Sequence, residues 1–231
     1  TQGEVTLDGQ NVLEMDVDQR SKAGLFLGMQ YPQEVTGVTN SDFLKAALNA
    51  RREKPIGLFA FIKEMEGAIA KLEMKSDLAR ASLRMEQEHR YVNEGFSGGE
   101  KKRNEILQMM LLKPSLAMLD EIDSGLDVDA MKIVASAILD EYEKRELGLV
   151  IVSHYDRFYQ LIKPTHSHIL IDGKIVMSGD DTLAKKIDEE GYDWLQTQLG
   201  VVIVPEEEVK APVRVSVSLG TCAVNERAKN E

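Results

Sequence analysis

The sequence predicts an α/β fold with a parallel-sheet core and a helical subdomain, on three observations. Two continuous apolar runs, residues 116–119 and 149–152, have the composition of strands buried on both faces of a parallel sheet. Between them Val128, Met131, Val134, Ala135, Ile138, Leu139 and Tyr142 recur at helical spacing. Strand, helix and strand then form a βαβ unit, which predicts parallel strands with a right-handed crossover. Upstream, residues from about 33 to 94 carry helical periodicity.

The elements follow in order. Residues 4–7, the pair Asp8-Gly9 and residues 10–13 read as a strand, a tight turn and a short edge. A short helix is expected over 16–24 and a strand over 25–29, stopped by Pro32. Asn40 or Ser41 is the expected cap of a helix carrying Phe43, Leu44, Ala47 and Leu48. Pro55 is expected to start another, with Leu58, Ile62, Met65, Ile69 and Leu72 on one face. A helix over 101–112 ends before Pro114, and Gly148 closes the helix of the βαβ unit. Residues 168–171 and 175–177 around Asp172-Gly173 predict a hairpin, and 183–187 a short helix. After Gly200 the character changes: apolar 201–204, acidic 205–208, and strand-like alternation over 213–219. We therefore expect one domain over residues 1–200 and a C-terminal extension of unassigned role over 201–231.

Composition narrows the function. The chain has 231 residues, 43% apolar and 29% charged, which suits one large domain with a buried core. A net charge of -11 opposes non-specific binding to nucleic acid or anionic membrane. Cys222 is the only cysteine, so no intramolecular disulfide forms, as fits a reducing compartment. No apolar run has the length to span a bilayer. The chain opens on Thr1 inside a strand-like stretch, and the expectation is a truncated or processed front.

Ligands of open parallel sheets sit at the carboxyl ends of the strands. Asp120-Glu121 ends one strand and Ser153-His154 its neighbour. A magnesium ion on phosphates needs one or two carboxylates plus waters, which suits Asp120. Glu121 could orient or deprotonate a water, and His154 could hydrogen-bond a phosphate or that water. Taken alone, Asp120-Glu121 also reads as a helix cap and an exposed acid. Ser97-Gly98-Gly99 opens a helix and reads equally as a phosphate cradle or as a plain serine cap with turn glycines. Gln30, at a strand end, could reach a metal or water. Ser124 to Asp127 is at least a turn with Asp127 as a cap. His89, His166 and His168 show no metal-ligand pattern.

These residues resemble the ABC ATPases. Phe96-Ser97-Gly98-Gly99-Glu100 is similar to their signature motif, and 116–120 to the Walker B strand with Glu121 as the catalytic glutamate. Asp127 falls in the D-loop, His154 at the switch histidine and Gln30 in the Q-loop. The wording of 96–108 and of 119–127, with Gln30-Tyr31-Pro32 and Gly37-Val38-Thr39-Asn40, resembles the SufC-type ATPases of the SUF iron–sulfur cluster assembly system. That resemblance spans residues 3 to 199. It implies a cytoplasmic enzyme using ATP and Mg2+ that drives shape change in a SufB–SufD scaffold held by the helical subdomain. It also implies a transient head-to-tail dimer, in which Ser97, Gly98 and Gly99 serve a partner's nucleotide.

One motif of the family is absent. No Gly-x-x-x-x-Gly-Lys-Ser/Thr phosphate loop occurs in the 231 residues, and the sole Gly-Lys pair, Gly173-Lys174, lies in the predicted hairpin. The fold is therefore expected to lack the N-terminal strands and phosphate loop, and the chain alone to be inactive. The alternatives are an ABC transporter ATPase subunit, or a non-catalytic module that binds the scaffold.

Overall fold

The computed structural model describes residues 3–74, 91–191 and Trp194. The expectations for 201–219, Cys222 and His89 lie outside these residues. The chain falls into two compact units, 1–189 and 190–231, and the architecture below is that of the first.

Asp8 and Gly9 take positive φ of 50° and 78°, so β1 (Thr6–Leu7) and β2 (Gln10–Asn11) pair antiparallel across a two-residue turn. The chain then coils into a 3-10 turn at Val12–Glu14, not the extended edge expected there. Asp16 and Gln19 form a capping box that starts α1 (Val17–Lys22). Gly24 follows with φ 101°, and a Cβ here would lie 2.3 Å from Ser115 Oγ, so only glycine fits. Its carbonyl accepts the N–H groups of Ser115 and Leu116, which aligns β3 (Leu25–Gly28) with β6 (Leu116–Asp120).

The central sheet has the order β3-β6-β7, where β7 is Gly148–Val152, and both pairings are parallel. Asp120 lies opposite Val152. The helix between β6 and β7, α5 (Val128–Lys144), buries Met131, Val134, Ala135 and Ile138. Val128 and Tyr142 of the expected core face are exposed. Gly148 does not close this helix. It starts β7, where a Cβ would crowd Leu116 Cδ1 at 3.1 Å.

The sheet departs from the expectation of burial on both faces. Strand side chains alternate. Phe26, Ala117 and Leu119 point into the core, while Leu27, Met118, Val150 and Val152 are 40–56% exposed on the opposite face. The helices of the described residues cover one side only.

The core side is filled by α4 (Gly98–Leu112), buried almost throughout its second half, and by α2 (Asn40–Ala50) and α3 (Leu58–Lys71). α2 and α3 each start at a residue the sequence did not indicate. Thr39 caps α2, accepting the Asp42 N–H at 3.1 Å, because Asn40 and Ser41 are themselves buried. α3 begins after Gly57, three residues past Pro55, and turns Phe61, Ile62, Met65 and Ile69 inward while Leu58 stays exposed. Before α2 the chain is extended, not helical: β4 (Val35–Thr39) pairs antiparallel with β5 (Tyr91–Val92).

Three asparagines join these parts. Asn40 and Asn104 exchange side-chain hydrogen bonds at 2.9 and 3.1 Å, Asn104 also donates to Asn93 at 2.9 Å, and Asn93 donates to the Gln33 carbonyl at 2.8 Å. All three asparagines are at most 2% exposed. The chain continues through α6 (Asp156–Ile162), the hairpin β8 (Ser167–Ile171) and β9 (Lys174–Gly179), and α7 (Asp181–Glu190). Asp172 and Gly173, at φ 48° and 73°, turn this hairpin, and Lys174 begins β9. No described helix is long and apolar enough to cross a membrane.

Asn104→Ala removes two buried donors and an acceptor and leaves Asn40 and Asn93 short of partners. Urea unfolding should show a loss of about 3 kcal/mol; a loss of a few tenths would mean that the hub is not structural.

Candidate functional site

Three polar side chains meet at the carboxyl ends of β3, β6 and β7. Glu121 follows β6 with φ 44°, and its N–H extends the ladder to the Val152 carbonyl at 2.8 Å. The left-handed backbone turns its half-buried carboxylate toward β3. There Gln30 Nε2 donates to Glu121 Oε2 at 2.6 Å. From β7, His154 Nδ1 lies 3.7 Å from Glu121 Oε1, close enough to attract a protonated ring but beyond a hydrogen bond. Gln30, Glu121 and His154, each expected on separate grounds, are thus brought together. Asp120 is exposed at the end of β6, the place for a group that meets a solvated ion.

The turn that carries His154 is braced by residues that sequence reasoning missed. Ser153 Oγ donates to Asp123 Oδ2 at 2.6 Å and accepts the Tyr155 N–H at 3.0 Å. The Tyr159 hydroxyl accepts the Ser153 N–H at 2.9 Å and donates to its carbonyl at 2.8 Å. The Tyr155 ring lies against His154 with centroids 4.2 Å apart. Asp123 is 1% exposed, and burial raises its carboxyl above the usual range. An Asp three residues past a strand and a Ser before a His carry no local signal of this contact.

Gln30 is held from beneath by α4. Lys102 Nζ donates to the Gln30 carbonyl at 2.7 Å and to the Met29 carbonyl at 3.3 Å, while Glu105 beside it accepts Gln108 Nε2 at 3.1 Å. Burial lowers the Lys102 ammonium and pushes the Glu105 carboxyl up to about 7.

Ser97, Gly98 and Gly99 stand apart from this group. Ser97 caps α4 in a capping box: its Oγ accepts the Glu100 N–H at 3.3 Å, and its own N–H donates to Glu100 Oε2 at 2.9 Å. A Cβ on Gly98 would meet nothing within 4 Å, so the helix start is open to an approaching group. A Cβ on Gly99 would touch Leu126 at 3.5 Å, which sets this helix start beside the 124–127 turn. Asp127 Oδ1 accepts the Ala130 N–H at 2.7 Å and caps α5. His166 and His168 bond Thr165 and Ser178.

Among the described residues no cluster of three or more His, Cys, Asp or Glu forms a metal cage. A magnesium ion that arrives with nucleotide phosphates does not need one. Asp120 with its exposed carboxylate fits that ion. Gln30 fits as well, since the amide that donates to Glu121 through nitrogen keeps its oxygen as an acceptor.

The Glu105 shift has a pH signature. Its folded value of about 7 exceeds the ordinary 4.5, so the folded chain holds the proton longer than the unfolded one. The stabilisation is full below about 4.5 and lost as pH rises through 7. Relative to Glu105→Gln, the native chain should lose roughly 2 kcal/mol of unfolding free energy between pH 5 and 8; parallel stability curves would contradict it.

A vegetative protein of Bacillus subtilis, "Vegetative protein 296", is 49% identical over 203 residues, covering 87% of this chain and 74% of its own. "Probable ATP-dependent transporter SufC" of Escherichia coli is 45% identical over 202 residues, covering 86% and 77%. Among solved structures, the dimeric ATP-binding cassette MJ0796 bound to ADP and Pi superposes with a TM-score of 0.65 at 17% identity, covering 78% of this chain and 74% of that one. At that identity the likeness bears on the fold alone. The family model described as ABC transporter matches residues 1–124, and the chain belongs to that family, the ABC ATPases, which bind ATP with Mg2+ and hydrolyse it.

Proposed function

We propose that this chain is the ATPase subunit of a cytoplasmic iron–sulfur cluster assembly complex of the SUF type, coupling ATP binding and hydrolysis to shape change in a SufB–SufD scaffold. The observation that carries the catalytic half is the convergence of Gln30 and His154 on Glu121, at 2.6 and 3.7 Å. Glu121 orients a water and takes its proton. His154 hydrogen-bonds the γ-phosphate. Asp120, with Gln30, would hold the magnesium ion, which neutralises phosphate charge when bound. Ser97, Gly98 and Gly99 serve a nucleotide on a second, head-to-tail copy, and Asp127 lies in the loop between the two sites. The open space over Gly98 supports that role.

The assembly half rests on the wording of residues 96–108 and 119–127 and on the relative named SufC. Phe59 near the start of α3 is 86% exposed, and Tyr31 before β4 is 73% exposed, each an apolar group suited to a protein partner. We assign residues 1–200 to the ATPase portion and leave 201–231 without a role. A second reading, the ATPase of a membrane transporter, would use the same surface. Co-purification with SufB and SufD supports the first reading, and with a membrane permease the second.

The 231 residues contain no phosphate-loop lysine, and phosphate binding depends on it. The purified chain should therefore turn over no ATP above background; measurable turnover would point to another cradle. In a version extended by a phosphate-loop segment, Glu121→Gln should reduce turnover by about a thousandfold or more while sparing ATP binding. Unchanged turnover removes Glu121 from its role. No activity in the extended chain itself would favour a non-catalytic scaffold-binding module.

A further inference from the structure

The His154 ring is placed by its backbone. Among the described residues no hydrogen bond holds the ring itself: Nδ1 lies 3.7 Å from Glu121 Oε1, and the Tyr155 ring rests against it with centroids 4.2 Å apart. The two peptide units that flank His154 are both tied. The unit between Ser153 and His154 gives its carbonyl to the Tyr159 hydroxyl at 2.8 Å. The unit between His154 and Tyr155 gives its N–H to Ser153 Oγ at 3.0 Å, and Ser153 Oγ is anchored on the buried Asp123 at 2.6 Å. The Tyr159 hydroxyl also accepts the Ser153 N–H, which belongs to the peptide unit before Ser153, at 2.9 Å. One oxygen therefore spans both peptide units of Ser153 and leaves its φ and ψ little room. A hydroxyl donates and accepts at a single atom, which suits it to this span. Its reach has a simple origin. Tyr159 lies one turn into α6, and helical side chains lean toward the helix N-terminus, which here follows the end of β7.

We propose that Tyr159 is a positioning residue of the ATPase site: its hydroxyl locks the backbone of Ser153 so that the His154 side chain leaves the end of β7 toward Glu121. Tyr159 acts through this turn and not on the nucleotide or the metal ion. The same two hydrogen bonds hold the start of α6 to the sheet edge, so a movement of α6 reaches His154 through Ser153. The inference rests on the reading of His154 and Glu121 as site residues.

The test is NMR on the 231-residue protein without nucleotide, comparing the native chain with Tyr159→Phe, each with and without Glu121→Gln. Phenylalanine keeps the ring and removes the hydroxyl. In Tyr159→Phe the Ser153 amide should exchange about tenfold faster or more. In the native chain Glu121→Gln should displace the His154 ring-proton signals, because the carboxylate lies beside the ring. In Tyr159→Phe the same substitution should displace them about half as much or less. A merely structural tyrosine would lower the unfolding midpoint and leave that response whole, so midpoints of all four chains are measured alongside. Equal exchange of the Ser153 amide in the folded native and Tyr159→Phe chains overturns the proposal. So does a full His154 response to Glu121→Gln in folded Tyr159→Phe, or no response in the native chain. Should Tyr159→Phe not fold, the native chain decides. A Ser153 amide exchanging at the free-peptide rate overturns the proposal; a protected amide in through-space contact with the Tyr159 ring, together with the His154 response to Glu121→Gln, supports it. Failure of the ATPase reading itself would appear in the turnover of Glu121→Gln in the extended chain, a measurement independent of these spectra.

Discussion

The Glu121 N–H reaches across to the Val152 carbonyl at 2.8 Å in left-handed backbone, and the rest of the site is arranged around that bond. It prolongs the β6–β7 ladder by one residue beyond the strand proper and then forces the chain to turn. A glutamate pays a conformational penalty at positive φ, since its Cβ crowds the backbone. The strain persists because the flanking structure over-determines it: the ladder fixes Asp120 and Glu121 on one side, and the buried Ile122 and Asp123 fix the other. The consequence is directional. Asp120 points out to solvent, and Glu121 points across β6 toward Gln30 and His154.

Buried charge explains how three strand ends keep that arrangement. Glu105, Lys102 and Asp123 all lie within the packed side of the sheet, where an unpaired charge is costly. Lys102 and Asp123 are each bonded to a turn that ends a strand: Lys102 grips the turn after β3 through the Gln30 carbonyl, and Asp123 grips the turn after β7 through Ser153, while Glu105 accepts the Gln108 side-chain amide. An apolar core would have packed at least as stably. What the polar groups add is a defined position for two loops that would otherwise move freely on the sheet edge. The asparagine hub does the same for the start of α2 and the segment before Ser97.

The parts of this architecture that were legible in the sequence are those with a period. Residues 116–119 and 149–152 read as parallel strands because their apolar runs are short and bounded, and the helix between them shows its face at three and four residues. The Asp172-Gly173 hairpin was legible because two positive-φ positions demand that chemistry. What escaped has no local period. β4 and β5 join segments more than fifty residues apart, and β5 has two residues, too few for an alternation to show. Thr39 caps α2 in place of Asn40 because Asn40 is used by Asn104, a contact 64 residues away. The exposed face of the sheet was misread for a related reason: a run of apolar residues reports that a strand is apolar on both sides, not what covers each side. In the site, Gln30, Glu121 and His154 were each nameable from position at a strand end. Asp123 and Glu105 were not, and Ser153, named at its strand end, showed no sign of its bond to Asp123, since an isolated acid or hydroxyl shows its partner only in three dimensions.

In the proposed head-to-tail dimer the signature residues and the catalytic residues would belong to different half-sites, and α4 would join them. Its first turn is open, capped by its own Glu100, with free space over Gly98. Its middle is tied to the Gln30 turn by the buried Lys102, and its last turn ends at Lys113 in left-handed backbone just before β6. In that proposed arrangement the fifteen-residue helix would meet one nucleotide site with its tip and support the other with its flank, so it would not shift at one end alone. Helices transmit displacement because their backbone hydrogen bonds stay within the segment, whereas loops absorb it. In the proposed dimer this single-helix connection would make the two half-sites responsive to each other without contact between their reacting groups, through Lys102 and its hold on the Gln30 turn.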